Sequence, residues 1–212
     1  MPVNGIFPHR YLMTSDISPW NDVLRWNVMR LFTAINFCDT VKDNLGDVIG
    51  KLKTAGVDGR FSSRENLHLT LVFIGETNNT ESIIKVMDKV NGVPFSIELS
   101  GLGVFRRKGG DIIWVGFKQN GDLQLIQKQL YDGLVRAGFT IEDREYTPHL
   151  TICRQVTYIR PVDFRALNEV LPVIETSVST VDLMKSEQIR GRLTYTPIYT
   201  KALGRGIELT QK

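Results

Sequence analysis

The sequence has few cysteines, no long apolar run and little excess of charge. Cys38 and Cys153 are its only cysteines among 212 residues, too few for a disulfide scaffold or a cysteine-based zinc site. No apolar run approaches the roughly 18–20 residues of a membrane-spanning helix. Lys and Arg number 26 against 23 Asp and Glu, so net charge alone identifies no partner. We therefore expect a cytoplasmic protein with no membrane association.

The first 28 residues differ from the rest. Residues 1–28 hold three of the 8 prolines and two of the 3 tryptophans, without a helical or strand period. They also lack the basic start and apolar stretch of a secretory signal. Because a strand-like run begins at Met29, we expect residues 1–28 to be an extension and residues 29–212 to form the folded domain. The alternative is an ordered N-terminal arm packed on that domain.

From Met29 onward, strand and helix periods follow each other without strict alternation. Apolar patterns predict strands at 31–37, 67–74, 95–105, 112–117, 149–154, 176–186 and 192–200, and helices at 41–52, 83–90, 123–135 and 162–170. This order favours an α+β fold over a doubly wound sheet.

A short motif occurs twice. His68-Leu-Thr-Leu71 returns as His149-Leu-Thr-Ile152, each copy in an apolar run and each after a polar approach. On a strand, a histidine and a threonine two residues apart point to the same face, and the intervening apolar residues point to the other. Each copy therefore presents one imidazole and one hydroxyl from a strand whose opposite face enters a core.

The duplicated residues suit acid–base chemistry on an anion. Two imidazoles with ordinary pKa values near 6.5 can serve as base and acid at neutral pH. Two hydroxyls can donate hydrogen bonds to an oxyanion such as phosphate. Two related half-domains would bring all four groups around one site.

At these residues the chain resembles the two-histidine phosphoesterase superfamily, whose signature is a pair of His-x-Thr/Ser-x motifs. Within it, the chain is similar to the RNA 2',3'-cyclic phosphodiesterases, also described as 2'-5' RNA ligases. The resemblance extends from Met29 to about Leu203, and it depends on five segments: 29–35, 65–76, 101–105, 146–154 and 181–186.

The resemblance implies a fold and a mechanism. The fold would be two pseudo-symmetric α+β lobes whose mixed or antiparallel sheets flank a central cleft. His68 would be the proton donor and His149 the proton acceptor in hydrolysis of a 2',3'-cyclic phosphate to a 2'-phosphomonoester. Thr70 and Thr151 would hold the non-bridging oxygens, with no metal or other cofactor.

Two substrate-binding residues also come from the resemblance. It implies that Arg154 lies near the phosphate and Phe73 beside the ligand base. Strict alternation turns Arg154 away from His149, however, so it reaches the site only if the strand bends, and a phenylalanine in a strand is usually core. Alternation also places Cys153 on the face of His149 as a candidate nucleophile, with burial as a small apolar residue the alternative. Residues 144–146, Arg-Glu-Tyr, depart from the more common Arg-Pro-Phe.

The expected partner is RNA with a 2',3'-cyclic phosphate end, such as a tRNA fragment, bound by a monomer. The reverse 2'-5' ligation is a further activity that the resemblance implies. One alternative is an enzyme for a small cyclic nucleotide of the ADP-ribose cyclic phosphate type. Another is a non-catalytic RNA- or nucleotide-binding module on the same fold, which the presence of both histidines disfavours.

Overall fold

The computed structural model describes residues 28–204, so the proposed extension lies outside the described residues except for Val28. The strands are β1 (Met29–Asn36), β2 (Val57–Phe61), β3 (His68–Thr77), β4 (Phe95–Phe105), β5 (Asp111–Phe117), β6 (His149–Tyr158), β7 (Glu175–Val178), β8 (Thr180–Ile189) and β9 (Arg192–Ala202). The helices are α1 (Asp39–Ala55), α2 (Thr80–Asp88), α3 (Gly121–Arg136) and α4 (Phe164–Glu169), with a 3₁₀ turn at Arg64–Asn66.

The strands form two sheets. The first sheet has the order β3-β1-β8-β9, and the second has the order β2-β6-β5-β4-β7. Every strand pair between residues 28 and 204 is antiparallel. The α+β prediction is confirmed. Neither sheet has the parallel order of a doubly wound fold.

Two sequence predictions of strands need correction. The run predicted at 176–186 is two strands that separate at Ser179, because β7 pairs with β4 in the second sheet and β8 pairs with β1 in the first. Buried Val178 and Val181 are three residues apart, so the two-residue alternation of buried positions shifts by one residue where the chain changes sheet. A bulge within a single strand would produce the same shift. Strand β2 was not predicted, because Asp58, Gly59 and Arg60 interrupt its apolar pattern.

One core fills the space between the helices and the inward faces of both sheets. Helix α1 contributes four buried residues at helical spacing, Val41, Leu45, Val48 and Leu52, and α3 contributes Leu123, Ile126, Leu130 and Leu134. The apolar residues of the duplicated motifs, Leu69, Leu71, Leu150 and Ile152, are buried in this core as predicted. The opposite faces of β3 and β6 are therefore left for a functional site. None of the helices between residues 28 and 204 combines the length and the apolar character needed to cross a membrane.

Candidate active site

The two copies of the motif lie on β3 and β6, one strand from each sheet, and these strands are in contact. His68, Thr70, His149 and Thr151 are all half-buried on the faces opposite the core. The Tyr146 hydroxyl, just before β6, donates a hydrogen bond to the Thr70 carbonyl at 3.1 Å. The structure thus brings the four predicted side chains to one junction between the sheets.

A β-bulge follows the motif in the first sheet. Relative to β1, strand β3 has one extra residue between Thr70 and Val72. An extra residue reverses the alternation of side chains beyond it. Leu71 and Val72 are consequently both buried, and Phe73 is 47% exposed on the side of His68.

The second sheet has the same bulge at the equivalent position. Relative to β5, strand β6 has one extra residue between Thr151 and Cys153. Ile152 and Cys153 are both fully buried, and Arg154 emerges on the side of His149. Phe73 and Arg154, each five residues after its histidine, therefore occupy corresponding positions on the two halves of the site.

The bulges determine on which face of the strands Arg154, Cys153 and Phe73 lie, which strict alternation did not predict correctly. Arg154 does reach the site, because its Nη2 donates to the Thr151 hydroxyl at 3.4 Å. The prediction that Cys153 shares the face of His149 was wrong, because the extra residue turns this side chain into the core. Burial raises the pKa of the Cys153 thiol to about 11, which disfavours the thiolate that a nucleophile requires. Phe73 is exposed rather than core.

Both ring nitrogens of His68 have partners. Its Nδ1 lies 2.7 Å from the Asn66 carbonyl oxygen and its Nε2 lies 3.0 Å from the Thr70 hydroxyl. Because a carbonyl only accepts, Nδ1 carries the proton and Nε2 accepts from Thr70 in the neutral ring. The imidazole also packs against Phe32 and the edge of Tyr195, at centroid distances of 4.9 and 5.0 Å.

His149 repeats the first of these contacts and lacks the second. Its Nδ1 lies 2.8 Å from the Thr147 carbonyl oxygen, so the neutral ring again carries its proton on Nδ1. Within residues 28–204, Nε2 has no hydrogen-bond partner and keeps a free lone pair. Phe105 and Trp114 pack edge-on against the imidazole, at centroid distances of 5.1 and 6.2 Å.

Two glycines make room for Trp114. Gly103 lies directly opposite Trp114 on β4. A Cβ at Gly103 would come within 2.1 Å of the indole, and one at Gly116 within 2.9 Å. Both distances are far below van der Waals contact, so the indole lies against bare backbone at these two positions. Glycine at both positions therefore lets the tryptophan lie flat beside His149.

The electrostatic field at the site is positive. Burial lowers the pKa of His68 to about 4, with further contributions from Arg154, Lys42 and His149. Burial also lowers the pKa of His149, with contributions from Arg144 and Arg154. Both imidazoles are therefore neutral at pH 7 in the unliganded protein, and the charges that act on them are cationic. A site of this kind favours an anion.

Sequence reasoning missed the aromatic residues around the imidazoles and the tyrosine between the sheets. Tyr146 stands where the resemblance would place phenylalanine, and its hydroxyl provides the contact to Thr70. The bulges did leave a signal, since the threonine of each motif is followed by two apolar residues in a row, Leu71-Val72 and Ile152-Cys153. The glycines opposite and beyond Trp114 were a weaker signal of a side chain lying flat on the sheet.

Comparison with known proteins identifies the family of the chain. The sequence model of the 2'-5' RNA ligase superfamily matches residues 41–190, more than half of the chain. The chain belongs to the 2'-5' RNA ligase superfamily. Both motifs lie within the part of the chain that matches this superfamily.

Individual members of the superfamily match over most of their length. The RNA 2',3'-cyclic phosphodiesterase of Thermotoga maritima is 32% identical over 170 residues, which are 74% of this chain and 87% of that protein. The protein of the same name from Aquifex aeolicus is 28% identical over 182 residues, 82% of this chain and 94% of its own. The crystal structure of E. coli LigT complexed with 3'-AMP is 26% identical, with a TM-score of 0.67 over 84% of this chain and 99% of that one.

Proposed function

We propose that this protein hydrolyses 2',3'-cyclic phosphate ends of RNA to 2'-phosphomonoesters, with two histidines as acid and base. The observation that carries the proposal is the convergence of two duplicated strand motifs, which bring two imidazoles and two hydroxyls together in a positive field. Relatives from T. maritima and A. aeolicus that bear the name RNA 2',3'-cyclic phosphodiesterase support the substrate class.

His149 is the general base in this proposal. Its Nδ1–H donates to the Thr147 carbonyl, which fixes the tautomer and leaves the Nε2 lone pair free. Nε2 takes a proton from water as the water oxygen forms a bond to phosphorus. The edge-on contacts of Phe105 and Trp114 hold the ring in place during this transfer.

His68 is the general acid and must be protonated when the substrate is bound. Its pKa near 4 belongs to the unliganded protein, in which burial and neighbouring cations disfavour the charged ring. A bound phosphodiester anion has the opposite effect and raises this pKa. Protonated Nε2 then donates to the 3' oxygen as the bond from phosphorus to that oxygen breaks, which leaves the phosphate on the 2' oxygen.

Thr70, Thr151 and Arg154 stabilise the phosphate. The two hydroxyls occupy equivalent positions on β3 and β6, so they can donate to the two non-bridging oxygens. Arg154 already contacts the Thr151 hydroxyl, and its guanidinium can add charge-assisted hydrogen bonds to the same oxygens. Negative charge that develops on phosphorus in the transition state is thereby neutralised without a metal ion.

The test is hydrolysis of a short RNA that ends in a 2',3'-cyclic phosphate, in the presence of excess chelator. The expected product carries only a 2'-phosphate, and chelator leaves the rate unchanged because imidazoles move the protons. A 3'-phosphate product, or activity that disappears with chelator and returns with a divalent ion, would contradict the mechanism. No turnover of any cyclic phosphate end would contradict the function.

Ligation needs only a different nucleophile at the same site. If a 5' hydroxyl of a second RNA replaces water, the same base and acid yield a 2'-5' phosphodiester. We expect this reaction to compete with hydrolysis in proportion to the concentration of the 5'-hydroxyl RNA, which product analysis by nuclease resistance of the 2'-5' linkage would measure.

A further inference from the structure

Two arginines lie directly opposite each other at the edge of the second sheet. Arg60 on β2 is the cross-strand partner of Arg154 on β6, and both side chains are exposed. Directly opposed residues of an antiparallel pair project on the same face, with Cβ atoms about 4.5–5.5 Å apart. Arg60 therefore shares the face of Arg154, Thr151 and His149.

This pair lacks the carboxylates that accompany some of the other arginines. Arg64 binds Asp39 and Asp43, and Arg106 binds Asp111. Within residues 28–204, neither Arg60 nor Arg154 forms an ion pair. Like charges directly opposite on neighbouring strands destabilise a sheet, so the free protein bears a repulsion that a bound anion would relieve.

The two arginines lie next to the proposed catalytic residues on the same face of the second sheet. Arg154 contacts the Thr151 hydroxyl, and Ser62 of the segment after β2 donates to the Thr151 carbonyl at 2.8 Å. Arg60 lies on the strand next to that of Arg154, and neighbouring strands of a sheet are about 4.8 Å apart. Strand β2 is an edge strand of its sheet, so among residues 28–204 no further strand lies beyond Arg60 on this side.

We propose that Arg60, beside Arg154, binds the phosphodiester on the 5' side of the terminal nucleoside, so that the site selects RNA ends over cyclic mononucleotides. This inference rests on the proposed function, which places the cyclic phosphate at Thr151. An RNA end carries its next phosphate one nucleotide away. A cyclic mononucleotide has only a hydroxyl there. A guanidinium is suited to this contact because its planar donors match two phosphate oxygens at once.

The experiment compares adenosine 2',3'-cyclic phosphate with the same compound bearing a 5'-phosphate and with an adenosine dinucleotide ending in a 2',3'-cyclic phosphate. Wild-type protein should show a kcat/KM about tenfold higher or more for the two substrates with the additional phosphate. In Arg60→Gln this preference should fall to near one. Arg136→Gln removes an exposed arginine at the end of α3, and it should keep the wild-type preference.

Salt dependence provides a second measurement. The slope of log kcat/KM against log salt concentration should become less steep for the dinucleotide in Arg60→Gln, because one contact between a cation and a phosphate is lost. Without any anion, Arg60→Gln should also raise Tm, because it removes the repulsion from Arg154. A variant that is less stable would be compared at matched folded fraction.

The failure of this inference is distinguishable from failure of the function. If wild-type protein hydrolyses no cyclic phosphate, the proposed function is wrong. If it hydrolyses all three substrates equally, or if Arg60→Gln lowers all three by the same factor, the function stands and the phosphate-binding role of Arg60 is wrong. If Arg136→Gln also lost the preference for the additional phosphate, the overall charge of the protein and not Arg60 would be its cause.

Discussion

The two motif strands share a backbone and differ in their side chains. In both β3 and β6, the histidine Nδ1 bonds to the carbonyl two residues earlier and a bulge follows the threonine. On β3, however, the histidine Nε2 is bonded to Thr70. On β6 the histidine Nε2 has no partner within residues 28–204, and Thr151 contacts Arg154 instead. The shared backbone gives both histidines the same tautomer. The different side-chain contacts distinguish the proposed acid, His68, from the proposed base, His149.

The two motif strands also differ at the exposed position five residues after each histidine, which is Phe73 on β3 and Arg154 on β6. Phe73 presents an aromatic ring with the Arg30 guanidinium 5.0 Å above it, an arrangement suited to stacking with a base. Arg154 presents a charge. In the proposed mechanism, one half of the site therefore binds a nucleobase and the other binds phosphate, although both come from the same strand pattern.

The largest expected effect is from removal of either histidine. His68→Ala and His149→Ala should each lower kcat by about 10²–10⁴-fold, the usual contribution of a positioned acid or base. The double variant should lose little more than either single variant, because paired catalytic groups act as a unit. Circular dichroism and Tm would show that the fold persists, and full activity in either single variant would refute the mechanism.

A substrate with sulfur as the 3' bridging atom would separate the two roles. A thiolate leaves without a proton, so this substrate needs no general acid. We expect it to restore much of the rate in His68→Ala and little in His149→Ala. The opposite outcome would exchange the roles of acid and base, and equal restoration would mean that the two halves of the site are interchangeable.

Arg154 and Phe73 test the divergence of the two halves. Arg154→Ala should lower kcat/KM by about 10–100-fold, since one charge-assisted hydrogen bond contributes about 1.5–3 kcal/mol. Phe73→Ala should raise KM several-fold and leave kcat nearly unchanged, because stacking holds substrate and transition state alike. Phe73→Tyr is the control that keeps the ring. Equal effects of the two alanine variants on kcat would contradict different roles.

The lowered histidine pKa values predict the pH dependence of activity. In the free protein, His68 with a pKa of about 4 is largely neutral above pH 6, so the reactive form with protonated His68 becomes rarer as pH rises. We expect kcat/KM to peak below pH 6.5 and to fall toward pH 8. The kcat profile should lie at higher pH, because the bound anion raises this pKa. A kcat/KM that rises between pH 6.5 and 8 would contradict the assignment.

The same shift predicts how stability depends on pH. The folded-state pKa of His68 is below its unfolded value near 6.5, so the unfolded chain binds more protons between these values. The free energy of unfolding should therefore fall as pH decreases from 6.5 toward 4. His68→Gln should weaken this dependence, which denaturant titrations at pH 7 and pH 5 would measure.

Sequence could predict the parts of the site that depend on local repetition. His68, Thr70, His149 and Thr151 were found because one short pattern occurs twice. The bulges were not foreseen, so the positions of Arg154 and Cys153 stayed open or were wrong. A bulge is a property of the register between two strands, and register depends on partners that are distant in sequence.

The aromatic residues that contact the two imidazoles could not be predicted from the local sequence either. Phe105 and Trp114 come from β4 and β5, and Tyr195 comes from β9. Their contacts with the imidazoles follow from strand order, which a single sequence does not reveal. The separation of β7 from β8 has the same origin, since the two strands are one residue apart in sequence and pair in different sheets.

The smallest expected effect concerns the contact between the halves. Tyr146→Phe removes the hydroxyl that donates to the Thr70 carbonyl and keeps the ring that packs against the core. The loss should be about 0.5–1.5 kcal/mol of unfolding free energy, the net value of one hydrogen bond. We expect kcat/KM to change by less than about threefold, because Thr70 remains in its strand ladder.

Tyr131→Phe is the matched control for this last variant. Its hydroxyl donates to Asp143 at 3.3 Å in an exposed contact, where water replaces the lost partner, so stability should hardly change. If Tyr146→Phe were equally neutral, the bond to Thr70 would contribute nothing to joining β3 and β6. A loss of kcat/KM much larger than threefold would show instead that this hydroxyl sets the relative position of the two motif strands, and the two halves of the site would then depend on each other more than their separate sheets suggest.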